Sequence, residues 1–176
     1  MKQRLLLYFL FLLSIQVFSQ ETEHKIKLDA LDFLVGEWKV DTDSRLSAQG
    51  PWEKSEGTAS IHKTLNATLI EEEFTGTRTG NPFLIKTLFG INNAKNRFQR
   101  VFAGSEHGVL IEFEGEKSNE SLYFDKTWIY TNGSSVKLRV VCYIISKDEF
   151  VLENMRMPQQ ATEWDITGRM KYTRVK

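Results

Sequence analysis

From Trp38 onward the chain breaks into short runs in which apolar and polar residues alternate, each closed by a turn-forming cluster. A side-chain period of two marks a strand with one buried face. The runs fall at Trp38–Thr42, Thr58–Leu65, Leu69–Gly76, Phe83–Gly90, Arg97–Ala103, Val109–Gly115, Leu122–Tyr130, Val136–Ile145, Phe150–Met157 and Glu163–Arg174. Asn132-Gly133 is the strongest hairpin signal between two of them, and Asn81-Pro82, Asn92–Asn96 and Lys147-Asp148 mark further turns. Ser44–Gly57, which contains Gly50-Pro51, reads as a polar connection. No second helical block, low-complexity run or long repeat interrupts this rhythm. About ten consecutive strands with short turns predict an all-β fold, a single antiparallel up-and-down β-barrel, because a sheet that wide closes rather than leave two edges unpaired. A β-sandwich is the alternative architecture.

The barrel starts from Leu31–Val40, LDFLVGEWKV. Leu28, Leu31, Leu34 and Val35 fall at helical spacing with Asp29 available as an N-cap, Gly36 ends the turn, and the first strand leaves from Trp38. The expectation is a short N-terminal helix at one end of the barrel. Residues 1–19 have a different character. Lys2 and Arg4 precede the unbroken apolar run Leu5–Leu13, and Val17 and Ser19 are small enough for the −3 and −1 positions of a signal peptidase site. This order is that of a secretory signal peptide cleaved after Ser19. Its apolar core is shorter than the ~18 residues of a spanning helix; an uncleaved anchor is the alternative. The chain therefore divides into a signal peptide (1–19), a flexible segment (20–30) and a barrel domain (31–176), in a secreted or periplasmic protein. With a single cysteine, Cys142, such a protein has no internal disulfide and holds together by packing. The formal net charge is zero, which argues against nucleic acid or an anionic membrane held by bulk charge.

Glu71-Glu72-Glu73 carries the most chemical information. Three consecutive strand side chains cannot face the same way. Turning Ile70, Glu72 and Phe74 inward buries one carboxylate, whereas the opposite phase buries two, and unpaired buried charge is costly. Glu72 is therefore expected inside; the alternative is a strand end at the barrel rim with all three solvated. An interior carboxylate needs a cation. Arg100 shares a phase with Phe98 and Phe102, Arg139 shares one with Val141 and Tyr143, and Arg169 is a weaker candidate. Glu153, beside Val151 and Met155, is a second candidate acid. With the strand aromatics, the expected interior set is Trp38, Glu72, Phe74, Phe98, Arg100, Phe102, Trp128, Arg139, Tyr143 and Trp164. Such a set either fills and satisfies a packed barrel or orients a ligand in an aromatic cavity.

Catalytic signatures are missing: the sequence has no GxSxG, HExxH, paired-cysteine metal motif or phosphate loop. Ser105-Glu106-His107 places three triad residue types in one loop, but neighbours in sequence rarely form a triad. Asn66-Ala67-Thr68, Asn119-Glu120-Ser121 and Asn132-Gly133-Ser134 read as turns, although each matches a glycosylation sequon.

The helical turn running into Gly36-x-Trp38 at the start of a meander resembles the lipocalin-like (calycin) barrels. The closer similarity, carried by LDFLVGEW at 31–38, LIEEEFTG at 69–76, FGINNAKNRF at 89–98, DEFVLENM at 148–155 and MKYTR at 170–174, is to an uncharacterised family of secreted bacterial barrels related in fold to nitrobindin. The calycin resemblance implies that Trp38 plugs one end of the barrel. The nitrobindin resemblance implies a haem on a histidine near the C-terminus, but His24, His62 and His107 all lie elsewhere. Met155, Met157 and Tyr172 are the remaining ligating side chains there, and nothing singles them out, so haem is disfavoured and no cofactor is expected. The functional expectation is an exported barrel binding a small, largely apolar molecule. The alternatives are an enzyme using Glu72 with Arg100, and a filled barrel acting through its surface.

Overall fold

Each strand pairs antiparallel with its neighbour in sequence, and the first pairs with the last, so the sheet closes on itself. The computed structural model describes residues 25–176 except 46, 79, 106, 107, 119 and 120. The signal peptide at 1–19, His24, the His107 loop and the sequon at Asn119 lie outside the described residues. The strands are β1 (Gly36–Ser44), β2 (Glu53–Thr64), β3 (Leu69–Arg78), β4 (Asn81–Asn92), β5 (Arg97–Gly104), β6 (Leu110–Ser118), β7 (Ser121–Ile129), β8 (Ser135–Ser146), β9 (Glu149–Pro158) and β10 (Asp165–Arg174). The up-and-down barrel is thus a closed one of ten strands.

One end is plugged. A 3-10 helix, Leu28–Leu34, buries Leu31 and Leu34 against the barrel. It starts inside the segment expected to be flexible. Lys27 occupies the cap position without a side-chain bond, and Asp29 lies in the first turn instead of capping it. Trp38 Nε1 donates to the Leu34 carbonyl at 2.8 Å. Arg174 stacks on the Trp38 ring at 4.1 Å and donates to the carbonyls of Val35 (2.7 Å), Phe33 (3.0 Å) and Lys147 (3.0 Å). One side chain of the last strand therefore locks the helix, the first strand and the β8–β9 turn. Phe150 stacks on Tyr172 at 4.2 Å and meets Trp38 edge-on at 4.8 Å, completing an apolar floor.

Toward the other end the interior turns polar, and here strand and sequence pattern part. Ser44 pairs with Glu53 and Thr42 with Ser55, so β2 begins within the stretch read as a connection. Thr42, Ser44 and Ser55 border an interior cavity, and hydrophobic alternation vanishes where the buried face is polar. Phe74 lies flat along this part of the wall. A Cβ on Gly57 or on Gly76 would come within 2.6 Å of its ring, so the two glycines provide the room it occupies.

Candidate functional site

Glu72 on β3 points into the barrel and is 2% exposed. Its neighbours Glu71 and Glu73 point outward, both onto Lys86. The strand period separates them, and Ile70 and Phe74, both buried, fix the phase. The Glu72 carboxylate accepts a hydrogen bond from Tyr172 Oη at 2.6 Å. Burial, reinforced by the charge of Glu72, holds the Tyr172 phenol well above its ordinary range. Cys142, inward on β8, is pushed up by the same burial.

Arg100 on β5 is 5% exposed. Its guanidinium lies over the rings of Phe102, Phe113 and Phe89 at 5.2, 5.5 and 5.9 Å. Burial works against its charge, and Glu72 opposes that effect. The two do not form an ion pair; Glu72 is bonded to Tyr172, and Arg100 Nε is enclosed with no hydrogen-bond partner among the described residues.

These groups border open interior space. A cavity of about 210 Å3 is lined by Glu72, Phe74, Phe83, Ile85, Arg100, Phe102, Met170 and Tyr172, with Thr42, Ser55 and Asn154 among its polar walls. A second, of about 300 Å3, shares Arg78, Arg100, Phe102, Asn154 and Thr167 with the first and adds Arg45, Ile111, Phe113, Leu138 and Arg156. Aromatic walls with a few convergent polar groups are the general character of a small-molecule site. Among the described residues, no group of three or more His, Cys, Asp or Glu side chains is gathered to hold a metal.

Of the residues expected inside, Glu72, Phe74, Arg100 and Phe102 line the first cavity. Trp38 and Phe98 are inward in the packed core, each 1% exposed. Trp128 shares the inward phase of Phe124 but is only half-buried and borders neither cavity. Arg139, Tyr143 and Trp164 belong to the outer wall, which corrects their expected placement. Arg139 donates to both oxygens of Asp125 at 2.7 Å and lies over Trp164 at 4.7 Å. It borders the second cavity along β8, but its guanidinium is committed to the exposed Asp125. The run Val136–Ile145 is apolar in both phases, so hydrophobicity does not select one, and Leu138, Val140 and Cys142 take the inside. Trp164 precedes β10, whose register shifts between Ile166 and Gly168, so a phase counted back from Tyr172 misplaces it. Glu153 and Arg169 likewise pair outside, Arg169 Nε donating to Glu153 Oε1 at 2.8 Å.

Sequence reasoning missed Arg78 and Arg156, inward near the open end, and the part Tyr172 plays. Arg156 lies in phase with buried Leu152 on β9, the same pattern that points to Arg100.

Two solved structures are similar to this chain. The S-type phycobiliprotein lyase CPES from Guillardia theta is 11% identical over 90% of this chain and 98% of that one, with a TM-score of 0.56. A redesigned β-barrel is 14% identical over 84% of this chain and 96% of that one, with a TM-score of 0.43. At such identities the lyase likeness concerns the fold alone. No curated relative matches the chain. A family model described as protein of unknown function (DUF1579) matches residues 21–174, and the chain belongs to that family of barrels.

Proposed function

We propose that this chain is an exported barrel that holds a small, largely apolar molecule in the unplugged end of its interior. One observation carries the reading: the interior is packed at the plugged end and open at the other, where Phe74, Phe83, Ile85 and Phe102 face about 210 Å3 of space beside polar groups that lack protein partners. A barrel filled for stability alone would close such space, because an interior void forfeits packing. The fold shared with a phycobiliprotein lyase is compatible with a small-molecule role. Export rests on the charged, apolar, small-residue order of residues 1–19 and agrees with a lone cysteine that is buried.

Titration with the uncharged fluorophore N-phenylnaphthylamine tests the binding role. The expected result is saturable uptake at one molecule per barrel, lost when Ser55→Phe fills the cavity wall. Absence of uptake by the wild type, or equal uptake by the filled variant, counts against it. For export, the intact mass of the secreted protein is expected to begin at Gln20, and a retained Met1 contradicts cleavage.

A further inference from the structure

The unplugged half of the barrel gathers several arginine side chains. Among the described residues, Arg45, Arg78, Arg100, Arg139 and Arg156 line the second cavity, and no Asp or Glu does. The first cavity adds one acid, Glu72, whose carboxylate already accepts from Tyr172. Two of these arginines carry enclosed, unused donors: among the described residues, Nε of Arg100 and Nε of Arg156 find no hydrogen-bond partner. The rings of Phe102 and Phe113, at 5.2 and 5.5 Å, hold the Arg100 guanidinium in place but supply no acceptor to its Nε–H. Arg45 is likewise set in place, donating from Nε to the Ile166 carbonyl at 2.7 Å and lying over Trp52. Sequestered guanidinium donors without acceptors are costly unless something arrives to accept from them.

We infer that the ligand is an organic acid, its anionic group held by Arg100 and Arg156 and its apolar body lying along Phe74, Phe83 and Phe102. This rests on the proposed ligand-binding role and specifies its chemistry. A carboxylate or similar oxyanion matches the planar fork of an arginine, which an uncharged ligand does not. A bare inorganic ion would satisfy the arginines but leave the adjoining rings uncovered, so the walls select an anion with an apolar body.

The test uses two fluorophores with the same aromatic body, anilinonaphthalene sulfonate and uncharged N-phenylnaphthylamine, against the wild type, Arg100→Met and Arg156→Met. The sulfonate is expected to bind the wild type about tenfold or more tighter than the uncharged probe, the ratio corresponding to one charge-assisted hydrogen bond. Each substitution is expected to remove most of that advantage by weakening the sulfonate, while the uncharged probe binds at least as tightly as to the wild type. If one variant fails to fold, judged by its circular dichroism, the other decides. Equal binding of both probes, indifferent to either substitution, overturns the acid proposal and leaves the apolar-ligand role standing. Failure of both probes to enter overturns the two together.

Discussion

The hydroxyl of Tyr172, on the last strand, donates a 2.6 Å hydrogen bond to the carboxylate of Glu72, a hundred residues earlier on β3. Both groups are inside the barrel, and the bond reaches past the two intervening strands β1 and β2. Tyr172→Phe removes the donor and leaves the carboxylate buried. The expected loss is about 1–3 kcal/mol of stability, read as a lower urea midpoint at unchanged m-value. An unchanged midpoint would mean that water from the cavity replaces the tyrosine.

Arg100 calls for the opposite expectation. Among the described residues its buried charge has no ion-pair partner, so Arg100→Met removes a desolvated cation and keeps most of the volume. The urea midpoint is expected to hold or rise. A loss of about 3 kcal/mol or more, the usual cost of breaking a buried pair, would instead make Arg100 and Glu72 a structural couple.

Alkali should destabilise the fold in two stages. Burial raises both the Cys142 thiol and the Tyr172 phenol, so the folded state keeps protons that the unfolded chain sheds. The unfolded groups titrate near ~8.5 and ~10. The stability these groups contribute is fully present below those values and is lost as pH rises above them, toward the raised folded pKa values. Urea midpoints taken from neutral pH to about pH 11 should fall with a slope that Cys142→Ala and Tyr172→Phe each reduce. In the folded protein at neutral pH, Cys142 should not react with Ellman's reagent; prompt reaction would place the thiol in solvent.

At the plugged end, Arg174→Ala removes the stacking on Trp38 and the bonds to three carbonyls that tie the helix to the barrel. A loss of about 2–3 kcal/mol is expected. Earlier hydrogen exchange in residues 28–34 than in the barrel strands should accompany it. A global loss with no local change in the helix would assign Arg174 to the barrel wall alone.

The barrel is legible in the sequence because most of its strands alternate cleanly, as around Ile70, Glu72 and Phe74, and because Asn132-Gly133 closes a hairpin unambiguously. Legibility fails where the physics removes the alternation. At Thr42, Ser44 and Ser55 the interior itself is polar, so the second strand begins before its hydrophobic pattern does. In β8 both faces are apolar because Val141, on the outer wall, is itself covered and only 1% exposed, which leaves Arg139 and Tyr143 without a readable direction. The shift between Ile166 and Gly168 puts Trp164 outside. The bond between Glu72 and Tyr172 joins residues with no local relationship, so only the closed sheet brings it about.

Native mass spectrometry of the protein purified from its own host tests the central claim most directly. The account predicts a population heavier than the polypeptide by one small organic acid, released on denaturation, absent from Ser55→Phe and diminished in Arg100→Met. A single population at the bare polypeptide mass in every preparation, with no uptake of either fluorophore, would contradict it.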